Sequence, residues 1–178
     1  MTIQKLNNPL TDTYRKFKSV VFGEDFPWFW FPSTTYNPQD GKYRGHEDHG
    51  YYTHTLLNKP GIDDIFFAKQ NSQVLPLANN VAAEIFSFNN IIPKVFYRLS
   101  VNCEHPTESG WPDLPHYDHE FPHHNMLIYL TSCNKGYTSV QWKKYFGEED
   151  EVILFNGEHF NAPPRKDRRI VMVTTFMF

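Results

Sequence analysis

His116-Tyr117-Asp118 stands in a polar stretch of a 178-residue chain, between two apolar runs. Side chains at i and i+2 of an extended segment leave by the same face. An imidazole and a carboxylate at that spacing therefore converge on one point. A second imidazole from a distant strand, with His159 the candidate, completes a facial set of two histidines and one carboxylate. Such a set leaves three adjacent positions of an octahedral metal open, which suits non-haem Fe(II).

Outward from the motif the chain reads as strands. Asn125-Met-Leu-Ile-Tyr-Leu-Thr131 is one, turned by Asn134-Lys-Gly136 into a second over 137–142. Val152-Ile-Leu-Phe155 is short and apolar, closed by the turn dipeptide Asn156-Gly157. Residues 169–178 form an uninterrupted β-branched and aromatic run. Upstream, Pro93 opens a strand over 94–102, and residues 103–124 are a polar stretch that carries His116 and Asp118.

The first half is less regular. Thr11 or Asp12 caps a helix through about Val21, with Tyr14, Phe17, Val20 and Val21 on one side and Gly23 at its end. Phe26-Pro-Trp-Phe-Trp-Phe-Pro32 reads as a strand buried against the core, with a substrate-facing aromatic wall as the alternative. Residues 36–52 are polar and Gly-rich, a long loop; His46 and His49 within it look metal-like but read as solvated. Tyr51-Tyr-Thr-His-Thr-Leu56 alternates as a strand does. Asn71 or Ser72 starts a packing helix to about Phe88, with Pro76 in its first turn.

Short strands at about ten-residue spacing, after two helices, predict a mainly β sandwich or barrel with flanking helices. The length fits one domain over 1–178, with a helical and aromatic part at 1–92 and a β core at about 93–178. A net charge of −3 offers no basic field for nucleic acid. Cys103 and Cys133, thirty positions apart, make neither a disulfide framework nor a metal-ligand pair. The N-terminus lacks an apolar signal region, and no run is long enough to span a bilayer, so a cytoplasmic protein is expected.

The order His116-x-Asp118, Ile128-Tyr-Leu-Thr131, Gly136-Tyr-Thr138, Phe155-Asn-Gly, His159 and Arg169-Ile-Val-Met-Val resembles the Fe(II)- and 2-oxoglutarate-dependent dioxygenases. It is most similar to their prolyl-4-hydroxylase-like branch and to small homologues encoded by bacteriophages. The resemblance covers roughly residues 94–178. It implies a double-stranded β-helix, a cupin-like jelly-roll, binding Fe(II), 2-oxoglutarate and O₂.

On that resemblance His116, Asp118 and His159 are the iron ligands and catalytic residues. A basic residue near the head of the last strand anchors the far carboxylate of 2-oxoglutarate. Arg165, Arg168 and Arg169 lie 6, 9 and 10 positions beyond His159. Adjacent strand residues face opposite ways, so only one of the last two points inward. Arg169 is preferred, since it leads directly into the strand, and Arg168 stays the alternative. Tyr129 matches a position that hydrogen-bonds the same carboxylate, and Asn102 is a candidate contact to co-substrate or substrate. Gly136-Tyr-Thr138 departs from the family's Gly-Gly-Thr at its second residue. His119, His123 and His124 crowd the motif but lack an Asp two residues on.

The implied activity couples decarboxylation of 2-oxoglutarate to hydroxylation of a C–H bond in a peptidyl substrate, with prolyl as one option, or in a small molecule, in a bacterial or phage-infected cell. Loops 36–52 and 104–115 are the lid candidates. Two other classes share the residues. A non-catalytic cupin-like binding protein would drop the Arg or a ligand. A zinc hydrolase using the same three residues has no use for an Arg ten positions on and needs a general base nearby.

Overall fold

A computed structural model describes residues 3–34, 45–60 and 68–178. In chain order the elements are β1 (Gln4–Leu6), α1 (Asp12–Val21), β2 (Phe29–Phe31), β3 (Tyr51–Asn58), β4 (Lys69–Gln70) and α2 (Leu75–Phe88). There follow β5 (Val95–Glu104), β6 (His124–Tyr129), β7 (Tyr137–Val140), β8 (Lys143–Tyr145), β9 (Val152–Phe155), β10 (His159–Ala162) and β11 (Arg169–Met177). The strands form an eight-stranded sheet, ordered β1-β9-β6-β11-β5-β3-β2 with β4 on β3, and a three-stranded sheet β10-β7-β8. Every pairing is antiparallel. This is the mainly β architecture with flanking helices that the strand pattern predicts, and it accords with the double-stranded β-helix that the resemblance implies.

The two faces of the large sheet divide the labour, because strand side chains alternate. One face carries Leu99, Val101 and Cys103 of β5, Met126 and Ile128 of β6, and Ile170 and Met172 of β11. These pack in one core with Tyr14, Phe17 and Val21 of α1 and with Ala78, Val81, Ile85 and Phe86 of α2. The opposite face carries Leu127 and Tyr129, Ile153 and Phe155, and Val171 and Val173, which pack with Cys133 and Val140. That second face holds the candidate site.

Local chemistry sets the element ends. The Thr11 hydroxyl accepts the Tyr14 N–H at 3.1 Å and caps α1. α2 begins at Leu75, later than Ser72, because Ser72 Oγ accepts the Val74 N–H in a turn and Pro76 falls at the helix start. Gln141 and Trp142 both take positive φ, which ends the strand expected over 137–142 and makes it the hairpin β7–β8. No helix among the described residues is long and apolar enough to cross a membrane.

One expectation is overturned. The 26–32 run is not a strand buried against the core: Phe29, Trp30 and Phe31 are 55%, 57% and 47% exposed. Among the described residues β2 is the last strand of the sheet and pairs only with β3. The apolar weight of the run rests instead on Phe26, which is buried against Trp28 and His54. The 36–44 part of the expected loop lies outside the described residues.

Candidate active site

His116 and His159 form an isolated antiparallel bridge. The His116 N–H donates to the His159 carbonyl at 2.9 Å, and the His159 N–H donates back at 3.0 Å. Asp118, two residues on, turns to the same side as His116. One ligand atom from each of His116, Asp118 and His159 lies within 4.8 Å of the others, the single such group found among the described residues. Tyr117, between them, points away and is 60% exposed.

The imidazoles are oriented by the backbone. The Nδ1 atoms of His116 and His159 lie 2.9 Å from the Leu114 carbonyl and 3.2 Å from the Gly157 carbonyl. A carbonyl only accepts, so each Nδ1 carries the proton and each Nε2 keeps its lone pair. His159 Nε2 sits 3.4 Å from Asp118 Oδ2. Burial would raise the Asp118 pKa, but His159, Arg98 and His116 outweigh it and hold the carboxyl below the usual range. Burial and the nearby His116 lower His159 to about 4, against the opposing pull of Asp118. At neutral pH the pair is a carboxylate and a neutral imidazole, the forms that ligate a metal.

The donor set fits a divalent ion. Asp118 Oδ2 is buried without a hydrogen-bond partner. An orphaned buried carboxylate oxygen beside an imidazole lone pair calls for a cation. The other oxygen is held by Arg98, whose Nη1 donates to Asp118 Oδ1 at 3.0 Å.

Arg169 begins β11 on the inner face and is 1% exposed, while Arg168 is exposed and its carbonyl accepts from Thr131 Oγ1. Arg169 Nη2 donates to Thr138 Oγ1 at 2.7 Å and to Asn161 Oδ1 at 3.0 Å. Nη1 donates to Glu104 Oε1 at 2.8 Å. The Tyr129 hydroxyl donates to Thr138 Oγ1 at 2.9 Å, and burial pushes its pKa up to about 12. The guanidinium lies 5.5 Å from the centre of the Tyr129 ring. Asn102 accepts from Thr53 Oγ1 at 2.8 Å, on the same face of β5.

Three participants escaped the sequence reading: Arg98, Glu104 and Asn161. β5 runs on to Glu104, two residues beyond the expected end, so residues 103 and 104 belong to the sheet rather than to the polar stretch. The available signal was the alternation Arg98, Ser100, Asn102, Glu104, a polar stripe at period two.

Four other histidines have other partners. His119 Nε2 lies 2.7 Å from Thr175 Oγ1, and His123 Nδ1 lies 2.8 Å from the Phe121 carbonyl. His46 and His49 face the carbonyls of Asp113 and Trp111. Both cysteines are free and buried. A cleft of about 700 Å³ opens beside the ligand segment, between Tyr117, Phe121 and His123 on one side and Gln141 and Asn156 on the other.

Fold and site together define a double-stranded β-helix that gathers two histidines and one carboxylate. No family model matches the sequence, and no curated protein does either. Solved structures do match. A 2OG-Fe(II) oxygenase family oxidoreductase from Burkholderia pseudomallei aligns with TM-score 0.58 at 11% identity, over 85% of this chain and 73% of that one. The α-ketoglutarate-dependent epimerase SnoN from nogalamycin biosynthesis aligns with TM-score 0.58 at 11% identity, over 98% and 77%. A Trichoplax adhaerens prolyl hydroxylase, solved with a hypoxia inducible factor peptide, aligns with TM-score 0.56 at 11% identity, over 98% and 83%. At these identities the likeness is one of fold: this chain has the fold of the 2-oxoglutarate-Fe(II) oxygenases.

Proposed function

We propose that this chain is an Fe(II)- and 2-oxoglutarate-dependent dioxygenase that hydroxylates a peptidyl or small-molecule substrate. The observation that carries the reading is the convergence of His116, Asp118 and His159 within a fold shared with such oxygenases. His116 Nε2, His159 Nε2 and the Asp118 carboxylate are the iron ligands. When bound, Fe(II) would activate O₂, the oxidant, and 2-oxoglutarate would supply two of the electrons as it is oxidised to succinate and CO₂, the substrate C–H bond supplying the other two.

The protein's own part is ligation and orientation. Leu114 and Gly157 fix the imidazole tautomers, and Arg98 steadies the carboxylate. Arg169, with Thr138, Asn161 and Tyr129 around it, is the anchor for the far carboxylate of 2-oxoglutarate. The cleft lined by Tyr117, Phe121 and Asn156 lies beside the ligand segment and is the substrate's approach.

A peptide is the favoured substrate class, by analogy with the peptide-bound Trichoplax hydroxylase, and proline is the first residue to try. The narrower likeness to small phage homologues rests on sequence motifs alone, and with it the cytoplasmic setting. The test is succinate formation from 2-oxoglutarate in the presence of Fe(II) and O₂, with proline-containing peptides analysed by mass spectrometry for one added oxygen. Succinate release that is absent from His159→Ala supports the reading. No succinate under any of these conditions contradicts it.

A further inference from the structure

We propose that Glu104 is an internal carboxylate seated on the co-substrate anchor, and that 2-oxoglutarate binds by displacing it from Arg169. This rests on the oxygenase reading and deepens it, because it makes Glu104 the residue that sets co-substrate affinity and selectivity.

The pairing is built into the sheet. Arg169, the first residue of β11, stands directly opposite Glu104, the last residue of β5. Residues opposite one another on paired strands project from the same face. Their contact is a charge-assisted hydrogen bond of 2.8 Å, with the two side chains 1% and 11% exposed.

Of the anchor's other donors Nη2 is committed, while Nε is buried without a hydrogen-bond partner. Nη2 serves both Thr138 Oγ1 and Asn161 Oδ1. Thr138 Oγ1 in turn accepts from Tyr129 and donates to Asn161 Oδ1 at 3.0 Å. An arriving carboxylate therefore meets a guanidinium whose charge Glu104 already balances and whose terminal nitrogens are held by Glu104 on one side and by Thr138 and Asn161 on the other.

Adding a second anion without removing the first is costly in a buried site. The protein shows this itself: Asp113 is buried beside the same pair, and burial together with the charge of Glu104 raises its pKa well above the usual carboxyl value.

Glu104 is also the member able to leave. Its Oε2 is buried with no hydrogen-bond partner, so one bond to Arg169 holds the group. As the end residue of β5 it can swing towards the segment after 104 without breaking a central ladder. 2-Oxoglutarate, held at both ends, gains iron ligation that Glu104 cannot match. A 2-oxo acid without a far carboxylate has nothing to offer Arg169 and leaves Glu104 in place.

The experiment measures anaerobic binding of 2-oxoglutarate and of 2-oxobutyrate to the Fe(II)-loaded protein, by visible absorbance and by thermal melting. Glu104→Gln keeps the shape and removes the competing charge. It should bind 2-oxoglutarate about tenfold more tightly and 2-oxobutyrate unchanged. It should also melt lower than the parent when co-substrate is absent, and 2-oxoglutarate should raise its Tm by more degrees than the parent's. If Glu104→Gln does not fold, Glu104→Asp, one methylene shorter, should shift affinity in the same direction. Binding by the parent with no gain in either variant, or an equal gain for 2-oxobutyrate, overturns the role of Glu104 alone. Failure of every protein to bind either oxo acid overturns the oxygenase reading and this inference with it.

Discussion

His116 and His159 hold each other by two backbone hydrogen bonds, of 2.9 and 3.0 Å, although 43 positions separate them in the chain. The two candidate imidazoles are therefore placed by main chain, before any ion arrives. Their rings stand 4.6 Å apart, centre to centre.

Preplacement makes the ligands dispensable for folding. His116→Ala keeps the backbone bridge, so the metal-free protein should melt within about 2 °C of the parent, a shift of the size that ordinary partly exposed substitutions produce. The rise in Tm on adding Fe(II) should vanish. Differential scanning calorimetry with and without Fe(II) separates the two effects.

On the oxygenase reading, Arg98 acts on the metal through Asp118. Groups that orient a ligand are typically worth about 10–100-fold in metal affinity. Arg98→Met keeps an apolar stem under Asp118 and removes the 3.0 Å bond. Fe(II) affinity should fall by at least about tenfold by that measure, read by competition with a chelator.

Gly147 is pressed against the anchor. A Cβ at this position would stand 2.5 Å from the ring of Tyr129, which is fully buried. Gly147→Ala should cost about 1–3 kcal/mol through overpacking. Tyr129→Phe loses the bond to Thr138 and should cost about 1 kcal/mol. Urea titrations give both values. In the double variant Gly147→Ala with Tyr129→Leu, the clash is relieved and the cost should be less than the sum of Gly147→Ala and Tyr129→Leu each measured alone.

Asp113 makes stability depend on pH. Its pKa in the folded protein lies above the unfolded value of about 3.9, so the folded chain keeps a proton that the unfolded chain releases. The resulting contribution to stability is complete below the unfolded pKa and is lost as pH rises towards the folded one. Asp113→Asn has no such proton and can still accept from the backbone N–H of His49. Its Tm should draw ahead of the parent's as pH rises from 4 to 7, by about 2–4 °C for each kcal/mol. A constant gap across that range contradicts the assignment.

The sequence showed most of what depends on local spacing. A two-residue interval is enough to set His116 and Asp118 on one side, and strand alternation is enough to separate Arg169 from Arg168. Long apolar strands such as β6, β9 and β11 announce themselves by composition. What was hidden depends on pairing between distant segments. Glu104 looked like the start of a polar loop because its partner is 65 residues away. β10, only His159–Ala162, mixes polar and apolar residues and gains its identity from β7. The 26–32 run was misjudged for the same reason: apolar residues favour a core, but strand order places β2 at an edge.

The most direct measurement is an anaerobic titration of Fe(II) and 2-oxoglutarate into metal-free protein, followed by visible absorbance. The account predicts a weak charge-transfer band that requires both additions and is lost in His159→Ala and in Arg169→Ala. Tight zinc binding with no band from Fe(II) and 2-oxoglutarate would contradict it and turn attention to hydrolysis or simple metal binding at the same three residues.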